Sequence, residues 1–178
     1  KSFISSHPLP NQKGIAASKS IIQYLKKTDE NDLILVFISG GGSSLLPLPS
    51  DGLSLKNKID INKKLLESGA NIDEINCVRK HLSKIKGGNF LKFCYPSKVH
   101  SLILSDVVGD DLSSISSGLT VPDPSTFLDA KNILKKYGLW KKIPKKISNH
   151  LIGGINSEKL ETPKAGNKIF EKSKNTLI

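Results

Sequence analysis

The sequence predicts an open α/β fold, a mainly parallel sheet flanked by helices, and three observations carry that prediction. Leu33 to Ile38 reads LILVFI, apolar at every position, the pattern of a strand covered on both faces. A second buried-strand candidate follows at Val99 to Leu104, and like the first it empties into a turn of small and polar residues. Segments of helical period lie between and around the two. Helix and strand therefore alternate, as in a parallel sheet and unlike a bundle or a sandwich.

Taken in order, Lys13 to Lys27 sets Ile15, Ile22 and Leu25 near one helical stripe, widened by Ile21, before the polar TDEND turn. After the first strand, Ser54 to Ser68 returns to helical period through Leu55, Ile59, Leu65 and Leu66, with Gly69 as the stop. Asn71 with Glu74 three residues on has the form of a capping box and opens a short helix. A basic bend leads from it to a helix over Gly88 to Cys94. Beyond the second strand, Ser125 to Tyr137 reads as a helix closed by Gly138. Pro144 is expected in the first turn of another that ends near Gly153-Gly154. GGINSEKLETPKAGNKIF is loop-like and leads to a final strand. Neither an internal repeat nor a long linker divides the chain.

A length of 178 residues with 37% hydrophobic content suffices for one core. One domain, or most of one, is expected. The chain starts at Lys1, contains no methionine and stops at NTLI, so a fragment of a longer protein is expected. The formal charge of +11 comes almost wholly from lysine scattered over expected helix faces, with 6% aromatic residues and no arginine cluster. That distribution argues against a nucleic-acid surface, which needs clustered cations and aromatic interleaving. Cys77 and Cys94 lack metal-ligand spacing and a disulfide framework, which suits a reducing cytoplasm. No apolar run approaches the length needed to span a bilayer.

Ligands of open parallel sheets bind beyond the carboxyl ends of the strands. The first strand delivers Ser39-Gly40-Gly41-Gly42-Ser43-Ser44 there. Glycines let the backbone approach a ligand closely, successive amides form an anion-binding concavity, and the hydroxyls add donors. Phosphate or carboxylate oxygens are the expected guests, although neither GxxxxGK(S/T) nor GxGxxG is present. The second strand delivers SDVVGDD. Asp106, Asp110 and Asp111 beside a phosphate site supply what magnesium needs, while Asp110 or Asp111 equally suits a cap on a helix around Ser113 to Ser117. Arg79 is the sole arginine among 27 basic residues, so its planar fork marks a position for an anion or a structural ion pair. His81 is a candidate proton carrier and equally a packed histidine. Lys86 adds a cation, and Gly87-Gly88 a further close-approach loop. Asp123 and Thr126 lie in a proline-stiffened loop, and SSHPLPN, carrying His7, is similarly rigid, a candidate border of the cleft that the sequence alone does not place.

HPLPN, ISGGGSSLL, LLESGANIDEINCVRKHLSKIKGG, LILSDVVGDD, SGLTVPDPSTF, YGLW and ETPKAGN, in that order, resemble the glycerate 2-kinase family, whose members end in a MOFRL domain. The likeness runs from about His7 to Phe170. It implies a Rossmann-like N-terminal domain and ATP-dependent phosphorylation of D-glycerate, a small-molecule substrate, to 2-phosphoglycerate with Mg²⁺ or another divalent cation. Carried over, Ser39 to Ser44 would hold nucleotide phosphates or substrate oxyanions together with Lys86 and the Gly87-Gly88 loop. Arg79 and Lys86 would contact anionic oxygens. Asp106, Asp110 and Asp111 would lie near the metal or the polar wall, with Asp106 and His81 the candidates for proton acceptor. A homo-oligomer is compatible with the resemblance, and no nucleic acid or membrane partner is implied. Departures exist: Ser6 stands where the family has glycine, Asn11 where it has an acid, and Val108 and Leu119 where prolines are usual. The family's lysine-bearing Gly segment would precede Lys1 and its C-terminal domain would follow Ile178, so the fragment alone is expected to be inactive or nearly so. The competing expectations are a phosphosugar-binding isomerase-like domain and, behind it, a basic nucleic-acid binder.

Overall fold

In the computed structural model, residues 2–105 and 111–178 are described. Helix α1 (Gln12–Leu25) starts at Asn11, whose side chain accepts from the Gly14 amide, so the residue that departs from the family pattern serves as the N-cap. Strand β1 (Leu33–Ile38) leads into the single turn α2 (Gly42–Leu45). Helices α3 (Leu55–Glu67) and α4 (Ile72–His81) both open with capping boxes, Ser54 with Asn57 and the expected Asn71 with Glu74. The helix expected over Gly88 to Cys94 shrinks to α5 (Leu91–Cys94), and β2 (Lys98–Ile103) follows it. A 3₁₀ turn over Ile115–Ser117 occupies the place of the expected helix at Ser113 to Ser117.

Helix α6 (Phe127–Lys136) is capped by Thr126 rather than begun at Ser125. Helix α7 (Lys145–Ile155) ends one residue beyond Gly153-Gly154, near where the sequence placed its end. Gly154 is needed there for packing, because a Cβ would sit 2.2 Å from the Phe127 ring. The chain ends with β3 (Ser173–Leu177). The sheet is wholly parallel in the order β1-β2-β3, with Ile38 opposite Ile103 and Ile103 opposite Leu177. Parallel strands in adjacent positions release their following loops at one edge, so Ser39 and Leu104 leave the sheet side by side.

Two hydrophobic clusters hold the molecule together. One lies beneath the sheet, where Ile38, Val99 and Ile103 meet Leu25 of α1 and Leu91 and Cys94 of α5. The other is helical, formed by Leu65, Val78, Leu134, Ile147 and Leu151 of α3, α4, α6 and α7 with no strand involved. Burying each such side chain stabilises the fold by about 1.5–3 kcal/mol. Cys77 and Cys94 are free and buried. The expectation that both faces of β1 are covered fails. Burial alternates along the strand, and Leu33 and Phe37 stay 61% and 72% exposed, because every helix that packs on this edge strand lies on the Ile34, Val36 and Ile38 face. No helix among the described residues is long and apolar enough to cross a membrane.

Candidate active site

A cavity of about 670 Å³ opens between Gly41, Ser43 and Ser44 of the glycine loop, α3, α4, the 114–117 turn and the HPLPN segment, while Ser39, Gly40 and Gly42 of that loop stand behind its lining. That volume is in the range of small-molecule sites. His7 and Pro8 line it, so the HPLPN segment borders the cleft, a placement that the sequence alone did not give.

The glycine loop forms one wall. Gly41 has φ of 77°, a left-handed conformation that reverses the chain into α2. Among the described residues the amides of Gly40, Gly41, Gly42 and Ser43 donate to no protein acceptor; Ser44 and Leu45 spend theirs on the Gly41 carbonyl. Gly42 owes its identity to packing, since a Cβ there would overlap the Ser116 hydroxyl at 2.0 Å. Ser44 is buried and donates to the Gly41 carbonyl.

The opposite wall is cationic. Asn76 and Arg79, three residues apart, share one face of α4. Arg79 donates Nε to Asn62 Oδ1 at 2.6 Å and Nη1 to Asn76 Oδ1 at 3.5 Å, both neutral acceptors. Lys86 is 2% exposed and donates from Nζ to the Gly42 carbonyl at 3.0 Å, tying this wall to the loop. Lys58, four residues before Asn62 on α3, lines the same cavity. The residue is half-buried. None of the three cations has an acid partner among the described residues. Burial and then the Arg79 charge bring the Lys58 amine down to about 7. Burial, followed by the charges of Lys58 and Arg79, holds Lys86 well below the ordinary lysine value. Burial also lowers Arg79, which nonetheless stays protonated at any physiological pH.

Hydroxyls join the walls. Ser117 Oγ lies 3.0 Å from Asn76 Oδ1 and 2.7 Å from Ser43 Oγ. Its single hydrogen goes to Asn76, an obligate acceptor at that atom, so Ser43 donates to Ser117. With Oδ1 thus engaged, Asn76, 3% exposed, leaves Nδ2 as a buried donor without a partner. The backbone carrying Ser117 is left-handed at three consecutive residues, with φ of 52°, 56° and 63° at Ser116, Ser117 and Gly118. Sequence reasoning missed Lys58, Asn76 and the Ser116-Ser117 pair. The spacing of Lys58 to Asn62 on one helix face was the available signal.

Other expected site residues lie elsewhere. His81 is turned from the cavity, its Nδ1 2.8 Å from the Cys77 carbonyl and its Nε2 2.8 Å from Glu161 Oε1. Burial alone would lower its pKa, but those hydrogen bonds outweigh it and raise the group to about 9. Glu161 is opposed by burial yet held down to about 2 by His81 and the Phe127 and Thr162 amides. Both ring nitrogens are occupied by structure. Gly87 and Gly88 likewise donate their amides to the Ser117 and Gly118 carbonyls and do not line the cavity. Their identities follow from crowding by Asp123 and by the Val121 carbonyl. Asp123 is buried against Lys80 at 3.3 Å and accepts from Ser125 as well, so it too serves the scaffold.

Asp106 and Asp110 lie outside the described residues. Asp111 accepts from the Ser113 amide at 2.9 Å and from the Ser113 and Ser114 hydroxyls at 2.8 Å, the capping role considered for it. Its burial would raise the carboxyl, yet those bonds hold it below the ordinary value. It remains exposed, so oxygen lone pairs stay open to a cation. Among the described residues no three His, Cys, Asp or Glu side chains converge on a metal position. The donor set thus fits an ion carried in on a phosphate better than a resident one.

A family model described as a domain of unknown function, DUF4147, matches residues 1–152. The chain belongs to this family. A glycerate 2-kinase from Pyrococcus horikoshii is 46% identical over 160 residues, covering 90% of this chain and 36% of that protein. An Agrobacterium vitis protein provisionally named a hydroxypyruvate reductase is 45% identical over 162 residues, covering 91% of this chain and 35% of that protein. The crystal structure of a glycerate kinase from Thermotoga maritima matches with a TM-score of 0.86 and 39% identity, covering 97% of this chain and 39% of that chain. The DUF4147 chain thus spans little more than a third of these relatives, and its parallel sheet flanked by helices is the architecture that it shares with the Thermotoga structure.

Proposed function

We propose that the protein containing this chain transfers a phosphoryl group from ATP to the 2-hydroxyl of D-glycerate, giving 2-phosphoglycerate. The single observation carrying this reading is a cavity of about 670 Å³ lined by the glycine loop on one wall and, on the other, by cations that have no acid partner among the described residues. Phosphoryl transfer asks a protein for positioning and charge neutralisation more than for covalent chemistry, and such walls supply both. The names of the Pyrococcus and Thermotoga relatives support it.

The amides of Gly40 to Ser43, with the Ser39 and Ser44 positions framing the loop, are assigned to nucleotide phosphates. Arg79 and Lys86 are assigned to anionic oxygens of the bound substrates. Asp106 is the proposed acceptor for the glycerate hydroxyl proton, since His81 faces away with both nitrogens engaged. Asp110 and Asp111 are assigned to Mg²⁺, which when bound neutralises phosphate charge. Residues 1–178 are read as most of one N-terminal domain, with a second domain closing the cavity in the whole protein. A cytoplasmic setting and the absence of a nucleic-acid partner belong to the same reading, which leaves homo-oligomer formation open.

The test is a labelled-ATP assay of the full-length protein with D-glycerate and Mg²⁺, run beside NADH with hydroxypyruvate and beside a phosphosugar panel. Label appearing in 2-phosphoglycerate is the expected result. NADH oxidation without phosphoryl transfer would favour the redox name of the Agrobacterium relative, and sugar-phosphate isomerisation would favour the isomerase reading; either would overturn the proposal.

A further inference from the structure

We propose that Lys58, Arg79, Lys86 and the Asn76 side-chain amide form the subsite for the carboxylate of the acid substrate, rather than for the nucleotide. The inference rests on the kinase reading of the cavity and assigns one end of the acceptor to one wall of it.

Three features converge. Arg79 spends two of its five N–H donors on the neutral Asn62 and Asn76 carboxamides, which orient the guanidinium without cancelling its charge. Three donors remain in a planar fork, the arrangement that matches a carboxylate. Asn76 Nδ2 is the second feature, a donor on a nearly fully buried side chain with no protein acceptor. Its orientation is not free to invert, because Ser117 and Arg79 both donate to Oδ1. Lys58 is the third: it contributes a cation to a cavity that already holds two, without an acid among the described residues to offset them. Like charges gathered in this way raise the energy of the empty site and push the two lysines towards their neutral amines, and one small anion reverses both effects.

The same wall separates the two substrates. A nucleotide triphosphate spreads its charge over three phosphates and shares it with a divalent cation, whereas a carboxylate is a compact planar anion that matches the Arg79 fork. The metal-free anion of the pair is the carboxylate. An acceptor with the hydroxyls but no carboxylate, such as glycerol, or with an uncharged one, such as glyceramide, leaves the cations unrelieved and Asn76 paired only weakly. Selection for a three-carbon acid follows from this wall.

The experiment uses the full-length protein and measures D-glycerate and ATP separately. Calorimetry without nucleotide should give a dissociation constant for D-glycerate at least tenfold weaker in Lys58→Met and in Asn76→Ala than in the unaltered protein, with ATP affinity within twofold. In the unaltered protein, modification of Lys58 by trinitrobenzenesulfonate, followed by peptide mass spectrometry, should be slowed by D-glycerate and not by ATP; this readout needs no variant to fold. Weakened ATP binding with unchanged D-glycerate binding would transfer the subsite to the nucleotide and overturn the inference. Protection of Lys58 by neither ligand would overturn it as well. Failure of the kinase reading is distinguishable: a protein that makes no 2-phosphoglycerate but binds D-glycerate through Lys58 and Asn76 keeps the subsite and loses the reaction.

Discussion

Helix α4 ends in three successive cations that meet different fates. Lys80 is buried 3.3 Å from Asp123, and His81 lies 2.8 Å from Glu161, each matched with an acid inside the scaffold. Arg79, on another face of the same helix, is held by two neutral amides and shares its cavity with the unmatched Lys58 and Lys86. The contrast separates charges that build the fold from charges kept for a guest. A buried cation with its own acid has its electrostatics settled within the chain. One without an acid leaves a deficit that a ligand can fill.

The largest effect should come from breaking a settled pair. Lys80→Met leaves the wholly buried Asp123 carboxylate without its cation and should lower stability by about 3–5 kcal/mol, measured by urea unfolding of the full-length protein. Adding Asp123→Asn should restore part of that loss. On the cavity face, Arg79→Met should reduce kcat/KM by about 10²–10³-fold. Its melting temperature should be held or raised, because a member of a like-charged cluster is gone. Arg79→Lys should do little better, since a point charge lacks the fork.

Gly154→Ala sharpens the comparison from the side of packing. It drives a methyl into the Phe127 ring that His81 also touches, and should cost about 1–3 kcal/mol without altering the affinity for D-glycerate. The His81–Glu161 pair predicts a pH profile of stability. His81 is raised from 6.5 to about 9, so its contribution is complete below pH 6.5 and fades as pH climbs through 9. Glu161 is lowered from 4.5 to about 2, so its contribution is complete above pH 4.5 and fades as pH falls towards 2. Thermal midpoints recorded across that range should therefore plateau between pH 4.5 and 6.5, and His81→Gln should remove the alkaline decline. The smallest effect is expected for Asn71→Ala, which deletes the α4 cap remote from both ion pairs and should cost about 1 kcal/mol by the same unfolding measurement.

Much of the fold was legible because its signals are local. Asn71 with Glu74 announced α4, and the LILVFI run announced β1. Burial of β1 on both faces was not legible, since a continuous apolar run cannot report whether a second layer of helices is present. In the site, Arg79 stood out by composition. His81 was grouped with it although two residues advance a helix by about 200°, which sends the two side chains to opposite sides. Lys58 was hidden among 26 lysines, and only tertiary contact separates the one facing Arg79 from those facing water. Ser117 and Asn76 owe their importance to a hydrogen-bond chain between segments 41 residues apart.

The left-handed backbone at Ser116 and Ser117 sets a tension between robustness and use. Glycine would adopt those dihedral angles with less strain, a difference on the order of 1 kcal/mol at each position. Yet glycine would erase the hydroxyl that orients Asn76 and the one that seats on the Ser39 carbonyl. Mutants selected only for heat tolerance should drift towards glycine here, and each step in that direction would loosen the hydrogen-bond chain that holds Asn76 in place for the proposed acid substrate.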